Sequence, residues 1–145
     1  MTLYADSSAV LRWLFREDQG SQIEQLLRGA TKVVCSRLTL TEVRRTIRRA
    51  VAQGGLDEVS SGGAFDAFAQ AAARWGVLEI SRDVAERAER PFPLEPVRTL
   101  DALHLASAII LRQALPDLQL LSTDDRVRTN GARMGFTVVP ALEAP

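Results

Sequence analysis

The residues of this chain best suited to carry chemistry are acidic and far apart in the sequence. Like charges brought together repel one another, and a divalent cation cancels that cost. Carboxylate oxygens suit hard ions such as Mg²⁺ and Mn²⁺. If the acids converge in the fold, the chemistry they predict is the binding of such an ion. Four carboxylates lie just after a predicted strand or near the start of a predicted helix: Asp6, Glu42, Asp101 and Asp124.

Each acid also has a purely structural explanation. Asp6 and Asp124 stand where the N-caps of the following helices are expected. Residues 39–42, Thr-Leu-Thr-Glu, fit a capping box. Asp101 falls in the first turn of its helix, where a negative charge suits the helix dipole. Taken one at a time, the acids therefore leave a structural and a metal-binding interpretation open.

The elements that must position these acids alternate between short apolar runs and helical patterns, which is typical of an α/β domain with a parallel sheet. In such a sheet, ligands bind beyond the carboxyl ends of the strands, and Asp6 and Asp124 fall at that edge. The helix that Asp101 opens is apolar almost all round and is predicted to be buried. Predicted strands cover 3–5, 33–35, 77–80, 118–121 and 137–139. Predicted helices cover 8–16, 20–28, 39–53, 57–75, 82–90, 99–115 and 125–134, and the pair Gly62-Gly63 leaves open an interruption of the fourth.

Composition narrows the class of protein. The 145 residues fit one predicted domain, 1–145. With a single Cys, Cys35, and a single His, His104, the chain cannot build a structural zinc site from its own residues. The formal net charge is zero, so composition alone does not indicate nucleic-acid binding. The absence of a long apolar run and of a signal-peptide pattern predicts a cytoplasmic protein with no membrane partner.

Two other acidic folds fit less well. Receiver domains pair an acidic Mg²⁺ pocket with a Lys late in the chain, whereas the one Lys here is Lys32. Haloacid-dehalogenase-type phosphatases carry Asp-x-Asp after the first strand, but the second acid is missing from Asp6-Ser7-Ser8. There is no P-loop and no Ser-His-Asp order around His104.

Four segments resemble the PIN-domain family and, within it, the VapC-type toxins of toxin–antitoxin pairs. They read YADSSA at 4–9, LTLTEV at 38–43, LDALHLASA at 100–108 and LSTDDR at 121–126. Their order and spacing are similar to those of the family, and together they cover essentially the whole chain. The resemblance implies a PIN-like α/β domain with a central, mostly parallel sheet of about five short strands flanked by helices.

The resemblance also implies a Mg²⁺- or Mn²⁺-dependent endoribonuclease. Ser8 and Ser122 match hydroxyl positions that support the acidic site. Asp124 fits the Ser-x-Asp pattern of the fourth acid, but a slip of one residue would make Asp125 the ligand. A metal-activated water would attack the phosphodiester and leave 5′-phosphate and 3′-hydroxyl ends. The implied acidic quartet is Asp6, Glu42, Asp101 and Asp124.

Other polar residues near the acids have two interpretations each. His104, three residues after Asp101, is either a hydrogen-bonded buried side chain or a support or substrate contact of the site. Arg45 and Arg49 lie on the side of their helix nearest Glu42. They form either a solvated face or an RNA-phosphate contact whose affinity falls with salt.

The partners that the resemblance implies are an RNA substrate, a cognate antitoxin that covers the site, and a second copy of the chain in a homodimer. One rival is a catalytically silent PIN-like scaffold that binds RNA or protein, although the presence of all four acids argues against it. Another is a DNA-directed nuclease. Specificity for the RNA target is expected in surface loops at 54–63 and 91–98.

Overall fold

The computed structural model describes residues 1–142 and shows a five-stranded parallel sheet with seven helices in that range. The predicted α/β fold class is confirmed. The strands are β1 (Thr2–Ala5), β2 (Lys32–Ser36), β3 (Gly76–Leu78), β4 (Leu118–Leu121) and β5 (Val138–Val139). The helices are α1 (Ser7–Leu14), α2 (Gly20–Gly29), α3 (Arg37–Ala52), α4 (Glu58–Ala72), α5 (Arg82–Ala88), α6 (Thr99–Ala114) and α7 (Asp125–Arg133).

The strand order is β3-β2-β1-β4-β5, and every neighbouring pair is parallel. β1 lies at the centre, with Leu3 opposite Val33 of β2 on one side and Gln119 of β4 on the other. The strand order changes direction between β1 and β4, which is where open parallel sheets bind ligands. The residues that follow β1, β2 and β4 therefore share one edge of the sheet.

Side chains alternate across the sheet and form one core on each face. Leu3 and Ala5 of β1 belong to the core that α1, α2, α3 and α4 cover, while Tyr4 belongs to the core under α6 and α7. The same alternation separates Val33 from Val34 in β2. Because both faces are covered, the central strand is buried along its whole length, as parallel sheets require.

The predicted start of α3 is wrong, and the error lies at the site. α3 begins at Arg37, not at residue 39, and Ser36 caps it by accepting a hydrogen bond from the amide of Leu38. The predicted capping box at 39–42 does not form. Thr39 lies inside the helix, where its buried hydroxyl donates to the carbonyl of Ala5 at 3.2 Å. This contact ties the first turn of α3 to the end of β1.

The helix predicted over 57–75 is present as α4, which runs through Gly62 and Gly63 without the interruption that the glycine pair left open. The helix begins at Glu58, with Asp57 as its N-cap. Six of the ten residues of the segment expected as a specificity loop, 54–63, are therefore helical. Its partner segment, 91–98, contains neither helix nor strand.

No helix among residues 1–142 combines the length and the apolar character that a membrane crossing requires.

The continuous α4 predicts that Gly62→Ala stabilises the protein by about 1 kcal/mol, because glycine inside a helix costs backbone entropy. An added Cβ at Gly62 meets no atom within 4 Å. The free energy of unfolding in urea measures the effect. Gly20→Ala is the control, since its Cβ would lie 2.7 Å from the backbone oxygen of Arg12 and should destabilise by about 1–3 kcal/mol. A loss of stability in Gly62→Ala would contradict the continuous helix.

Candidate active site

Asp6 follows the central strand directly and is held from several sides. Its amide donates to the carbonyl of Leu121 at 3.1 Å, so the residue sits where β1 and β4 end side by side. Oδ1 accepts hydrogen bonds from the Ser8 hydroxyl at 2.7 Å and from the amide of Ala9 at 3.1 Å, and Oδ2 accepts from the Ser122 hydroxyl at 2.5 Å. The carboxylate is only 2% exposed. Asp6 is therefore both the N-cap of α1 and a buried, oriented carboxylate.

The hydroxyls of Ser8 and Ser122 also hold the loop that follows β4. Ser8 Oγ accepts the amide of Thr123 at 3.0 Å, and Ser122 Oγ accepts the amide of Asp124 at 3.2 Å. Asp124 in turn caps α7 by accepting the amide of Val127 at 2.9 Å. The two serines thus join the acid after β1 to the acid after β4.

Asp101 reaches the same region from the first turn of α6. Burial raises the pKa of this half-buried carboxyl to about 6, and repulsion from Asp124, Asp6 and Glu42 adds to the rise, whereas His104 opposes it. The four predicted acids are therefore close enough for the charge of each of the other three to act on Asp101. Asp125 is not among the groups that act on it and is exposed.

Glu42 lies in the second turn of α3 and is bound through one oxygen. Its Oε1 is 2.6 Å from Nε2 of His104 and accepts the Ser7 hydroxyl at 3.0 Å. His104 is 2% exposed, and its Nδ1 lies 2.8 Å from the hydroxyl of Tyr4. This burial leaves His104 no surface for direct contact with a substrate. The structure places it behind Glu42, as a hydrogen-bonded buried side chain.

The charge at Asp6 is only partly compensated. Burial raises the pKa of its carboxyl, while His104 and the hydrogen bonds from Ser122 and Ser8 act in the opposite direction. The sequence analysis missed Arg128 of α7, a cation that is attracted to Asp6 and donates Nη1 to the carbonyl of Ser122 at 2.7 Å. Burial lowers the pKa of Arg128, although its attraction to Asp125 and Asp6 counteracts this.

The arginines of α3 divide into two pairs. Arg44 and Arg48 lie over the rings of Phe68 and Phe65 of α4, 5.2 and 5.0 Å from the ring centroids. They therefore help to attach α4 to α3. Arg45 and Arg49, the predicted RNA contacts, are exposed, and Arg49 contacts only the neighbouring Thr46 hydroxyl within residues 1–142.

Three polar residues that support the acids were missed by the sequence analysis: Tyr4, Ser7 and Thr39. Tyr4 reads as an ordinary strand residue, and Ser7 lies between two residues already assigned to the site. Thr39 has the sequence pattern of a helix cap. The signal that could have identified them is that buried polar side chains need hydrogen-bond partners. The sequence does not show which side chains are buried.

The four acids converge, but their side chains are not already arranged as metal ligands. Among residues 1–142, no three acidic, His or Cys side chains are already arranged as a metal site. In this arrangement Asp6, Glu42 and Asp124 each accept hydrogen bonds from the chain itself.

Comparison with known proteins gives relatives over nearly the full length. Ribonuclease VapC46 of Mycobacterium tuberculosis is 33% identical over 137 residues, covering 94% of this chain and 95% of that protein. Ribonuclease VapC45 of the same species is 29% identical over 143 residues, covering 99% and 98% of the two chains.

Solved structures share the fold at low identity. A toxin–antitoxin complex from Klebsiella pneumoniae contains a chain with a TM-score of 0.62 at 21% identity, with 99% of this chain and 100% of that chain covered. VapC20 of Mycobacterium tuberculosis, a toxin that cleaves the sarcin–ricin loop, has a TM-score of 0.62 at 16% identity, with 94% and 97% covered. The model of the PIN domain matches residues 3–132, a span that includes all four acids. The chain belongs to the PIN-domain family.

Proposed function

We propose that this chain is a Mg²⁺- or Mn²⁺-dependent endoribonuclease and the toxin of a VapBC-type toxin–antitoxin pair. The observation that carries the proposal is the convergence of four acids at the carboxyl edge of the sheet, where burial raises the pKa of Asp101 and the charges of the other three acids raise it further. The names of the relatives, ribonucleases VapC46 and VapC45, support RNA as the substrate.

The chemistry of the acidic cluster fits a hard divalent cation. All four donors are carboxylates, and their mutual repulsion is the cost that a cation would remove. The residues that would hold the ion are Asp6, Glu42 and Asp101, with Asp124 as the fourth acid in preference to Asp125. The exposed position of Asp125 and its attraction to Arg128 support that choice.

A bound Mg²⁺ or Mn²⁺ supplies a hydroxide near neutral pH and neutralises charge that develops on the phosphate. The chain's own contribution is orientation. Ser8 and Ser122 fix both oxygens of Asp6, and His104 and Ser7 fix one oxygen of Glu42. Because His104 is buried, the general base is not an imidazole. Attack by water on phosphorus with departure of the 3′ oxygen would give the 5′-phosphate and 3′-hydroxyl ends that the family resemblance implies.

Arg45 and Arg49 are proposed to bind the RNA backbone. Both are exposed on α3, and they follow Glu42 by three and seven residues, so Arg49 lies roughly 10 Å farther along the helix axis. That distance suits phosphates next to the scissile bond. Guanidinium groups bind phosphate well, and their contribution depends on salt.

A cognate antitoxin is the proposed protein partner, and the toxin–antitoxin complexes among the structural neighbours support it. By covering the acidic edge, such a partner would suppress cleavage. We also propose one domain that pairs as a homodimer.

The first test is cleavage of a mixed pool of cellular RNA by the protein free of any partner. We expect cleavage with Mg²⁺ or Mn²⁺ and none with EDTA. Asp6→Asn should lose more activity than the roughly 10- to 100-fold that is typical when a residue hydrogen-bonded to a metal ligand is removed. Asn still caps α1, so the fold should be preserved. Asp66→Asn, an exposed change on α4, is the matched control. A folded protein that neither cleaves RNA nor binds Mn²⁺ would contradict the nuclease and favour the catalytically silent scaffold. Cleavage of DNA alone would indicate a DNA-directed nuclease.

A second prediction concerns stability without metal, measured by urea unfolding in EDTA. The pKa of Asp101 is raised from 3.8 to about 6, so the native state binds this proton more tightly than the unfolded chain does. Ionised Asp101 therefore destabilises the native state. This destabilisation is absent below the pKa that Asp101 has in the unfolded chain and complete above its pKa in the folded protein. Asp101→Asn should therefore stabilise the metal-free protein at pH 7 by about 1 kcal/mol after solvent screening, and not at about pH 4.

Addition of Mn²⁺ should stabilise the wild-type protein and have much less effect on Asp101→Asn, because the variant lacks one ligand. Asp66→Asn serves again as the control, and an equal gain in Asp101→Asn and the wild-type protein would show that the effect does not come from the acidic cluster.

The third prediction uses the salt dependence of RNA binding, measured by fluorescence anisotropy in EDTA. Arg45→Ala/Arg49→Ala should lower the slope of log K against log salt by about 0.7 for each phosphate that the variant no longer binds. Arg16→Ala/Arg28→Ala is the matched control, because these residues lie after α1 and at the end of α2, towards the opposite edge of the sheet. An unchanged slope in the first variant would remove these arginines from the RNA interface.

A further inference from the structure

A series of buried hydrogen bonds runs behind the acidic site and ends at Glu42. The Tyr4 hydroxyl lies 2.8 Å from Nδ1 of His104, and Nε2 of the same ring lies 2.6 Å from Oε1 of Glu42. The Ser7 hydroxyl donates to the same oxygen at 3.0 Å and lies 3.4 Å from Nε2. The four residues belong to β1, α1, α3 and α6, so the series connects the central strand to helices on both faces.

The ring of His104 is fixed in place. Tyr4 is fully buried and packs edge-on to the imidazole, with centroids 6.0 Å apart and planes at 75°. Both ring nitrogens have a polar partner. Since His104 is 2% exposed, neither bulk water nor RNA reaches it, and any effect it has on the site must act through Glu42.

The chemistry of Tyr4 and Glu42, the two ends of the series, determines which atom donates each hydrogen bond. An ionised carboxylate only accepts hydrogen bonds, so the proton between His104 and Glu42 resides on Nε2. The Tyr4 phenol carries a hydrogen that it can donate to Nδ1, and an Nδ1 that accepts this hydrogen leaves Nε2 as the N–H of the ring. Tyr4 thereby favours the ring form that places a hydrogen towards Glu42.

Both donors reach the same oxygen of Glu42. Oε1 accepts from His104 and Ser7, whereas no side-chain or backbone donor within residues 1–142 hydrogen-bonds to Oε2. An oxygen with two donors is a poorer ligand for a cation than a free one, because its lone pairs are already used. The two oxygens of Glu42 are therefore not equivalent.

We propose that His104 is a positioning residue for Glu42: together with Ser7 it holds Oε1, so that Oε2 is the oxygen offered to a divalent cation. Tyr4 completes the arrangement by orienting the ring. The inference rests on the proposed metal-dependent function, but the geometry it concerns can be measured without any RNA. Mutation of a residue that hydrogen-bonds to a metal ligand typically lowers metal affinity about 10- to 100-fold.

Nitrogen-15 NMR of the full chain tests the direction of the series. Because the sequence contains one histidine, labelling that residue type gives the signals of a single imidazole. We expect a proton on Nε2 that exchanges slowly with water in the metal-free protein. An Nε2 that carries no proton would overturn the proposal, since Oε1 would then have no donor from the ring.

Calorimetric titration with Mn²⁺ tests the effect on the site. His104→Leu removes the donor and should weaken Mn²⁺ binding about 10- to 100-fold, while His104→Gln keeps an N–H near the position of Nε2 and should restore most of the affinity. Tyr4→Phe removes a single hydroxyl and should weaken binding several-fold. Ser61→Ala is the control, because it removes a buried hydroxyl of α4 that bonds only within its own helix.

RNA cleavage separates this inference from the proposed function. In His104→Leu and Tyr4→Phe, activity should fall at limiting Mn²⁺ and recover at saturating Mn²⁺, which a general structural defect would not do. Wild-type Mn²⁺ affinity in folded His104→Leu and in Tyr4→Phe would overturn the role of His104. If His104→Leu does not fold, Tyr4→Phe and His104→Gln decide the question. A wild-type protein that binds Mn²⁺ with this pattern but cleaves no RNA would refute the nuclease and leave the positioning role intact.

Discussion

Mutual repulsion among four carboxylates is the constraint to which the rest of the site is fitted. Burial raises the pKa of Asp101, and the charges of Asp124, Asp6 and Glu42 raise it further. Without a cation, this arrangement lowers the stability of the fold, so the surrounding hydrogen bonds must hold groups that would otherwise move apart. Because the repulsion destabilises the metal-free protein, a cation that binds the acids and removes the repulsion stabilises the fold.

The chain meets this constraint with two separate supports. On the side of β4, the hydroxyls of Ser8 and Ser122 hold Asp6 and the loop that carries Asp124. On the side of α3, the ring of His104 holds Glu42. Asp101 has no comparable hydrogen bond among residues 1–142, and burial together with repulsion from the other acids raises its pKa.

Parallel topology explains how residues so far apart in sequence reach one place. With β1 between β2 and β4, the residues that follow these three strands emerge at one edge, and α1, α3 and α7 all begin there. Thr39 joins α3 to the end of β1 through the carbonyl of Ala5, which brings Glu42 towards Asp6. Asp101 comes from the other face of the sheet, in the first turn of the buried helix α6. The acidic site thus lies where both layers of helices meet the sheet.

The sequence by itself determined the fold class, the order of strands and helices along the chain, the acids, and the family. These follow from local patterns: apolar runs, helical periodicity, and four short segments in a characteristic order. Tertiary structure alone decided where α3 begins, that α4 continues through Gly62, that Arg44 and Arg48 pack on phenylalanines, and which residues hold the acids. The reason is the range of the interactions. Helical periodicity is set by neighbours three or four residues apart, whereas the contacts of Glu42 with His104 and of Asp6 with Ser122 join residues 62 and 116 positions apart. Such contacts exist only once the sheet has brought the ends of its strands together.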